Sequence, residues 1–238
     1  MLGLQHSLVI IPAFNEEGSV GRVVTNVLKM KVREVVVIDD CSTDQTAEEA
    51  RSAGATVVSL PERLGAWGAT QTGFRYAVRR GARMVVTMDA DGQHNPTDLS
   101  ALITPIAQKT SNVVIASCTE RGSKLRKIAW RWIKRVAHLD VSDITSGFRA
   151  YDRLAVRRLA AWPANLIEYQ DVGVLLLLQR NRLTISEISV SMADRKNGKS
   201  RIFSSWGAVI YYMAQTLLLG ASKRSRFSLR SYPVLGRP

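Results

Sequence analysis

The sequence predicts an α/β protein: a mostly parallel sheet with helices on both faces. Two observations predict it. Short apolar runs alternate with amphipathic stretches, β then α, four times before a fifth strand. The runs are continuous Val/Ile stretches rather than alternating ones, which means burial on both faces. The 238 residues are 46% hydrophobic and 22% charged, which suits one large domain and excludes a disordered chain.

The elements follow in order. Leu8-Val9-Ile10-Ile11 reads as a buried strand that stops at Pro12. Val20 to Met30 reads as a helix with Val20, Val23, Val24, Val27 and Leu28 on one face. Val35 to Ile38 is the second strand. Thr43 to Ala53 is a helix that Ser42 or Thr43 can cap. Ala55 to Leu60 is the third strand, Gly68 to Arg80 a helix, and Met84 to Met88 the fourth strand. Pro96 opens a helix to Gln108, with proline at the first turn, and Val113 to Ala116 is the fifth strand. The second half is less regular. Lys124 to Ala137 reads as a basic helix, Asp152 to Ala161 and Asp171 to Arg180 as helices, and Leu183 to Val190 as a strand. Phe148 and Tyr151 read as strand core.

The net charge of +13 is unevenly spread. Residues 1–120 and 140–194 are near neutral, whereas 121–139 carry +7 and 195–238 carry +9, both without a single acid. Two such blocks point to an anionic partner. Cys41 and Cys118 lack the spacing of a disulfide framework or a zinc site. Met1 to Ser7 shows no charged n-region and no long apolar run, so no signal peptide is expected and a cytoplasmic setting is the simpler one.

Ligands of open α/β sheets bind beyond the carboxyl ends of the strands, and the polar clusters sit there. Pro12-Ala13-Phe14-Asn15-Glu16-Glu17 follows the first strand, Asp39-Asp40-Cys41-Ser42-Thr43-Asp44 the second, and Asp89-Ala90-Asp91-Gly92-Gln93-His94 the fourth. Three acidic clusters at one sheet edge repel one another unless something positive lies between them. Asp89 and Asp91, alternate residues before a turn glycine, can aim two carboxylates at one point. Hard cations such as Mg²⁺ or Mn²⁺ take such oxygen ligands, with Gln93 or His94 as a further ligand. The rival reading has both aspartates capping the turn.

Five ordered motifs over roughly residues 6–203 resemble the family 2 inverting glycosyltransferases of GT-A, Rossmann-like fold. The branch they most resemble is that of the dolichol-phosphate mannose synthases and polyprenyl-phosphate glycosyltransferases. Ile11 to Glu17 resembles the opening nucleotide-binding turn, and Ile38 to Asp44 the second, where an Asp meets the base. Asp89 to His94 matches the metal motif, Asp143 to Tyr151 the acceptor-side motif, and Arg195 to Arg201 the late basic loop that contacts the diphosphate. Cys41 stands where the family usually has Gly, and Arg201 where it more often has Lys. The resemblance implies nucleotide-sugar contacts from Pro12, Ala13, Asn15, Glu16, Asp39, Asp40, Gly68, Asp89, Ala90, Arg195, Lys199 and Arg201. It implies a metal on Asp89, Asp91 and Gln93, and a reaction carried by Asp91, Arg149 and Asp171. Asp171, like Glu168, opens a helix, where a carboxylate more commonly serves as a cap; a lipid-phosphate acceptor is already an anion and needs no base. Donors are UDP- or GDP-sugars. Around Gly65 to Gly73, a sugar-nucleotide loop and close helix packing are equally good readings.

The expected organisation is a domain over 1–203 and a C-terminal apolar, basic helix and tail over 204–238. Ile202 to Ser222 carries no charge, but Ser204, Ser205, Gln215 and Thr216 interrupt it, and Lys223-Arg224-Ser225-Arg226 follows. That pattern favours an amphipathic helix lying on an anionic membrane surface, peripheral on the inner face, over a docked helix, a contact between copies in a homo-oligomer, or a span. Two rivals fit less well. A nucleotidyltransferase would carry a Gly-rich, basic first loop where Pro12 to Glu17 is acidic. A nucleic-acid-binding protein would interleave aromatic and basic residues into a stacking platform, and no nucleic-acid partner is expected.

Overall fold

The computed structural model describes residues 3–118, 141–161, 164 and 172–192. Among them seven strands form one sheet: β1 (Ser7–Ala13), β2 (Glu34–Asp39), β3 (Thr56–Ser59), β4 (Met84–Thr87), β5 (Val113–Ser117), β6 (Arg149–Asp152) and β7 (Ile185–Ser189). The helices are α1 (Val20–Leu28), α2 (Thr46–Ser52), α3 (Gly65–Arg79), α4 (Leu99–Ala107), α5 (Arg153–Ala160) and α6 (Val172–Arg180).

The strand order is β3-β2-β1-β4-β6-β5-β7. Every pairing is parallel except those of β6, which runs antiparallel to β4 and β5. The chain steps outward from β1 to β2 and β3, then returns to the other side of β1 as β4. The connections therefore diverge between β1 and β4, and the crevice beyond their carboxyl ends is where such a sheet leaves room for a ligand.

The continuous Val/Ile runs serve two cores, because successive side chains of a strand point to opposite faces. Leu8, Ile10, Val36 and Ile38 face α3, α5 and α6. Val9, Ile11, Val35 and Val37 face α1, α2 and α4. All eight are buried, each stabilising the fold by about 1.5–3 kcal/mol relative to exposure. Helix α1 turns Val20, Val23, Val24 and Val27 inward, the apolar face its 3.6-residue period defines. Helix α3 comes so close to β1 that a Cβ on Gly73 would lie 2.4 Å from Ile10 Cγ2. The close-packing reading of that stretch therefore holds at Gly73.

Several boundaries differ from expectation. β1 runs on through Pro12, paired with Ile38, to Ala13 opposite Asp39. Helix α2 starts at Thr46 without a side-chain cap, since Ser42 and Thr43 bond instead to Asn15. Helix α3 starts three residues early, at Gly65, because Asp40 caps it. Pro96–Asp98 forms a 3-10 turn before α4, capped by Asn95, whose side chain accepts from Thr97 N. Phe148 and Tyr151 are core, as read, and the strand that holds Tyr151 is wedged between β4 and β5. The basic helix expected over 124–137 and the C-terminal segment over 204–238 lie outside the described residues.

Candidate active site

The turns after β1 and β2 are stapled to each other. Ala13 O accepts from Asp40 N at 2.8 Å, extending the parallel pairing by one bond. Asn15 N donates to Ser42 Oγ at 3.0 Å, and Asn15 Oδ1 accepts from Thr43 N at 2.9 Å. Glu16 N donates to Thr46 Oγ1 at 2.7 Å, and Glu17 Oε2 accepts from Gln45 N at 2.9 Å. Asp44 accepts from Glu17 N and from both Thr46 N and Thr46 Oγ1. Burial pushes the Asp44 carboxyl up, but these hydrogen bonds outweigh it and hold the group below its ordinary value. The two acidic turns thus form one hydrogen-bonded rim, so they do not need a cation to hold them together.

Asp39 and Asp40 are both buried but differ in use. Asp39 Oδ1 accepts from Ser42 N at 3.1 Å. Asp40 spends both oxygens on the first turn of α3, accepting from Leu64 N at 2.7 Å and Gly65 N at 2.9 Å. It satisfies orphan donors of the helix and complements its dipole. Beside this rim, the Arg63 guanidinium lies 3.9 Å from the centre of the Phe14 ring. No sequence pattern marks that stack.

The turn after β4 carries the two aspartates. Asp91 Oδ1 accepts from Gln93 N at 3.0 Å, closing an Asx-type turn, so the turn-capping reading holds for part of this carboxylate. Asp89 Oδ2 meets His94 Nε2 at 3.1 Å. The Asp89 side chain remains 42% exposed, whereas that of His94 is 1% exposed. Asp89 is therefore reachable from solvent while its partner is sealed in. Gly147 closes the other side: a Cβ there would fall 2.6 Å from Asp89 Oδ1. The expected acceptor-side motif and the expected metal motif, far apart in sequence, are in contact.

That contact is braced from several elements. Thr87 Oγ1, at the end of β4, donates to Gly147 O at 2.7 Å. Glu187 in β7 accepts from Ser142 N at 2.6 Å and Asp143 N at 2.9 Å. Asp143 in turn accepts from Thr145 N and Cys118 N. Arg149, expected to help carry the reaction, is turned to its own loop. It is 2% exposed, with Nε donating to Ser146 O and Nη2 to Ile144 O, each at 2.7 Å. A guanidinium bonded to the carbonyls of its own loop shapes that loop. Asp98, below His94, has its carboxyl pushed up by burial against an opposing pull from His94.

Asp89, Asp91 and the Gln93 amide form a hard oxygen donor set, the kind that Mg²⁺ and Mn²⁺ complete with water and substrate phosphate. Among the described residues, no group of three or more His, Cys, Asp or Glu side chains is arranged to hold a metal. A metal here would take its protein ligands from Asp89, Asp91 and Gln93 and leave its other positions to water and phosphate oxygens, an open site rather than a cage.

The structure brings Pro12, Ala13, Asn15, Glu16, Asp39, Asp40, Asp89, Ala90, Asp91 and Gln93 to the one carboxyl edge formed by β1, β2 and β4. Ala90 is buried in the core, so its side chain is not open to a ligand. Gly68 lies in the first turn of α3. Asp171, Glu168, Arg195, Lys199 and Arg201 lie outside the described residues. The chain nevertheless leaves β7 toward the site, because Met192 makes an antiparallel bridge to His94.

The model of "Glycosyl transferase family 2" matches residues 8–160. The undecaprenyl-phosphate mannosyltransferase of Micrococcus luteus is 31% identical over 216 residues, covering 82% of this chain and 86% of that protein. The UDP-N-acetylglucosamine–dolichyl-phosphate N-acetylglucosaminyltransferase of Methanococcus voltae is 28% identical over 212 residues, covering 76% and 83%. Among solved structures, glucosyl-3-phosphoglycerate synthase from Mycobacterium tuberculosis, in complex with Mn²⁺, UDP-glucose and phosphoglyceric acid, superposes with a TM-score of 0.72 at 24% identity, covering 91% of this chain and 79% of that one. That likeness establishes the GT-A-type fold.

Proposed function

The chain belongs to Glycosyl transferase family 2, and from that membership we propose that it moves a sugar from a UDP- or GDP-sugar to a polyprenyl phosphate, with inversion and with Mg²⁺ or Mn²⁺. The observation that supports the reading is that the Asp89–Asp91 turn after β4 and the stapled turns after β1 and β2 lie at the same carboxyl edge of neighbouring strands. In this reading the rim takes the nucleoside, and its diphosphate lies toward the two aspartates. Asp39 and neighbouring residues of the first two turns bind the nucleoside; Asp89, Asp91 and Gln93 hold the metal. When bound, the metal supplies positive charge to the diphosphate as it leaves.

The basic residues Arg195, Lys199 and Arg201 share that load, because guanidinium and ammonium groups pair with phosphate oxygens. The names of the two relatives and the +7 and +9 basic blocks support a lipid-phosphate acceptor at an anionic membrane surface. Such an acceptor attacks as an anion. Asp171 would act as base only toward a hydroxyl acceptor. Arg149 serves by shaping the 144–148 loop that backs Asp89.

The test is a panel of UDP- and GDP-sugars with Mg²⁺ or Mn²⁺, scored by released nucleoside diphosphate with and without polyprenyl phosphate. Release stimulated by the lipid is expected. Asp89→Ala and Asp91→Ala should each lower turnover by about 10²–10³-fold, the scale of losing one major electrostatic group. Full metal-dependent transfer by either variant would overturn the assignment.

A further inference from the structure

The sequence leaves His94 open as a metal ligand; its surroundings say otherwise. Its ring is sealed, with a side chain 1% exposed, while Asp89 beside it is 42% exposed. The ring packs on Phe148 with centroids 4.9 Å apart and a tilt of 36°. Nε2 is 3.1 Å from Asp89 Oδ2, and Nδ1 is buried with no hydrogen-bond partner among the described residues. An ionised carboxylate can only accept, so the proton between these two atoms belongs on Nε2. The other Asp89 oxygen, Oδ1, rests against Gly147, where no Cβ would fit. The carboxylate is thus held from one side by a donor and from the other by backbone.

We propose that His94 is the positioning residue of the aspartate pair: its Nε2–H fixes the Asp89 carboxylate in the orientation that receives the metal, and His94 itself is not a ligand. This rests on the metal reading given above. The role is that of a second-layer donor. Such partners fix the orientation of a ligand, and removing one typically lowers metal affinity about 10–100-fold. The same residue ties three motifs together. It bonds the metal motif, stacks on the acceptor-side motif through Phe148, and bridges by backbone to Met192 at the entrance to the late basic loop. A hydrogen bond supplied from a sealed ring keeps its geometry when the exposed carboxylate exchanges water for ligand.

The proposal is tested on the full chain by Mn²⁺ affinity in the presence of UDP, read from the electron paramagnetic resonance signal of free aqueous Mn²⁺ against a UDP-only blank. Asp89→Asn is the control for the site. His94→Phe keeps a buried ring against Phe148 and removes the donor; His94→Gln restores an N–H at about the reach of Nε2. His94→Phe should weaken Mn²⁺ binding at least about tenfold, and His94→Gln should stay within about threefold of the parent. Parent binding that Asp89→Asn abolishes but His94→Phe leaves intact would sink the positioning role alone, as would a His94→Gln variant as weak as His94→Phe. A parent that binds no Mn²⁺ above the blank, or binding that survives Asp89→Asn, would sink the metal reading and this proposal with it. Should His94→Phe fail to fold, long-range ¹H–¹⁵N spectra of the unaltered chain decide. A proton on Nε2 upholds the geometry, and an unprotonated Nε2 refutes it.

Discussion

Cys41 holds φ at 61°, in the left-handed region where a side chain costs about 1–2 kcal/mol. It sits between Asp40, which caps α3, and Ser42, which accepts from Asn15 N, so the rim forces the turn on it. Its thiol reaches only a distant contact with Pro61 O at 4.0 Å, too weak to offset the backbone cost. Glycine relieves that cost but loses more freedom on folding, about 0.5–1 kcal/mol. Cys41→Gly is therefore expected to stabilise the protein by about 0.5–1 kcal/mol, seen as a higher urea midpoint at unchanged slope. A midpoint that stays put or falls would show that the turn tolerates cysteine. The sequence hinted at this position, because a Cys replaces the usual Gly of the resembled motif. It gave no hint of the positive φ at Asn15, or that Asp40 would turn inward to a helix.

At the scale of elements, α3 lies in close contact with β1. Gly73 permits it, and Gly73→Ala would drive a methyl to 2.4 Å from Ile10 Cγ2 and about 3 Å from two further Ile10 carbons. Overpacking of this kind costs about 1–3 kcal/mol. Ile10→Ala alone should cost about 2–5 kcal/mol as a cavity. In the double variant the new methyl fills part of that cavity, so its cost should fall short of the sum by at least about 0.5 kcal/mol in denaturant titrations. Strict additivity would mean that helix and strand do not touch there. The helices and strands were legible where a periodic face met one core, as in α1, or where a continuous apolar run lay between two, as in β2. Strand β6 was harder, because a four-residue strand carrying a buried arginine and ending in the aspartate that caps α5 gives little pattern of its own.

For the whole molecule, the charge map is as informative as the sheet. A near-neutral catalytic body is paired with two wholly basic blocks in sequence. Among the described residues, no helix is long and apolar enough to cross a membrane. If the tail over 204–238 meets an anionic surface, the chain should sediment with vesicles containing phosphatidylglycerol and not with neutral ones. It should be released as salt shortens the screening length from about 10 Å at 0.1 M. Each cation near such a surface is worth about 1 kcal/mol, so replacing Lys223, Arg224 and Arg226 by glutamine should weaken binding about 10²-fold. Equal binding to neutral vesicles would remove the electrostatic basis of the association.

From its residues alone, the chain determined the five strands of its first half, that most of them are buried on both faces, and which carboxylates follow them. These follow from local periodicity and from the few residue types that a turn or a hard cation accepts. Only the tertiary structure decided how each polar group is spent. Asp40 goes to a helix end, Arg149 to the carbonyls of its own loop, and Asn15 to a neighbouring turn, while Asp89 stays open to solvent beside a sealed histidine. The reason is physical. A carboxylate or guanidinium has several equally good partners, and which one lies within 3 Å depends on strands brought together from distant parts of the chain.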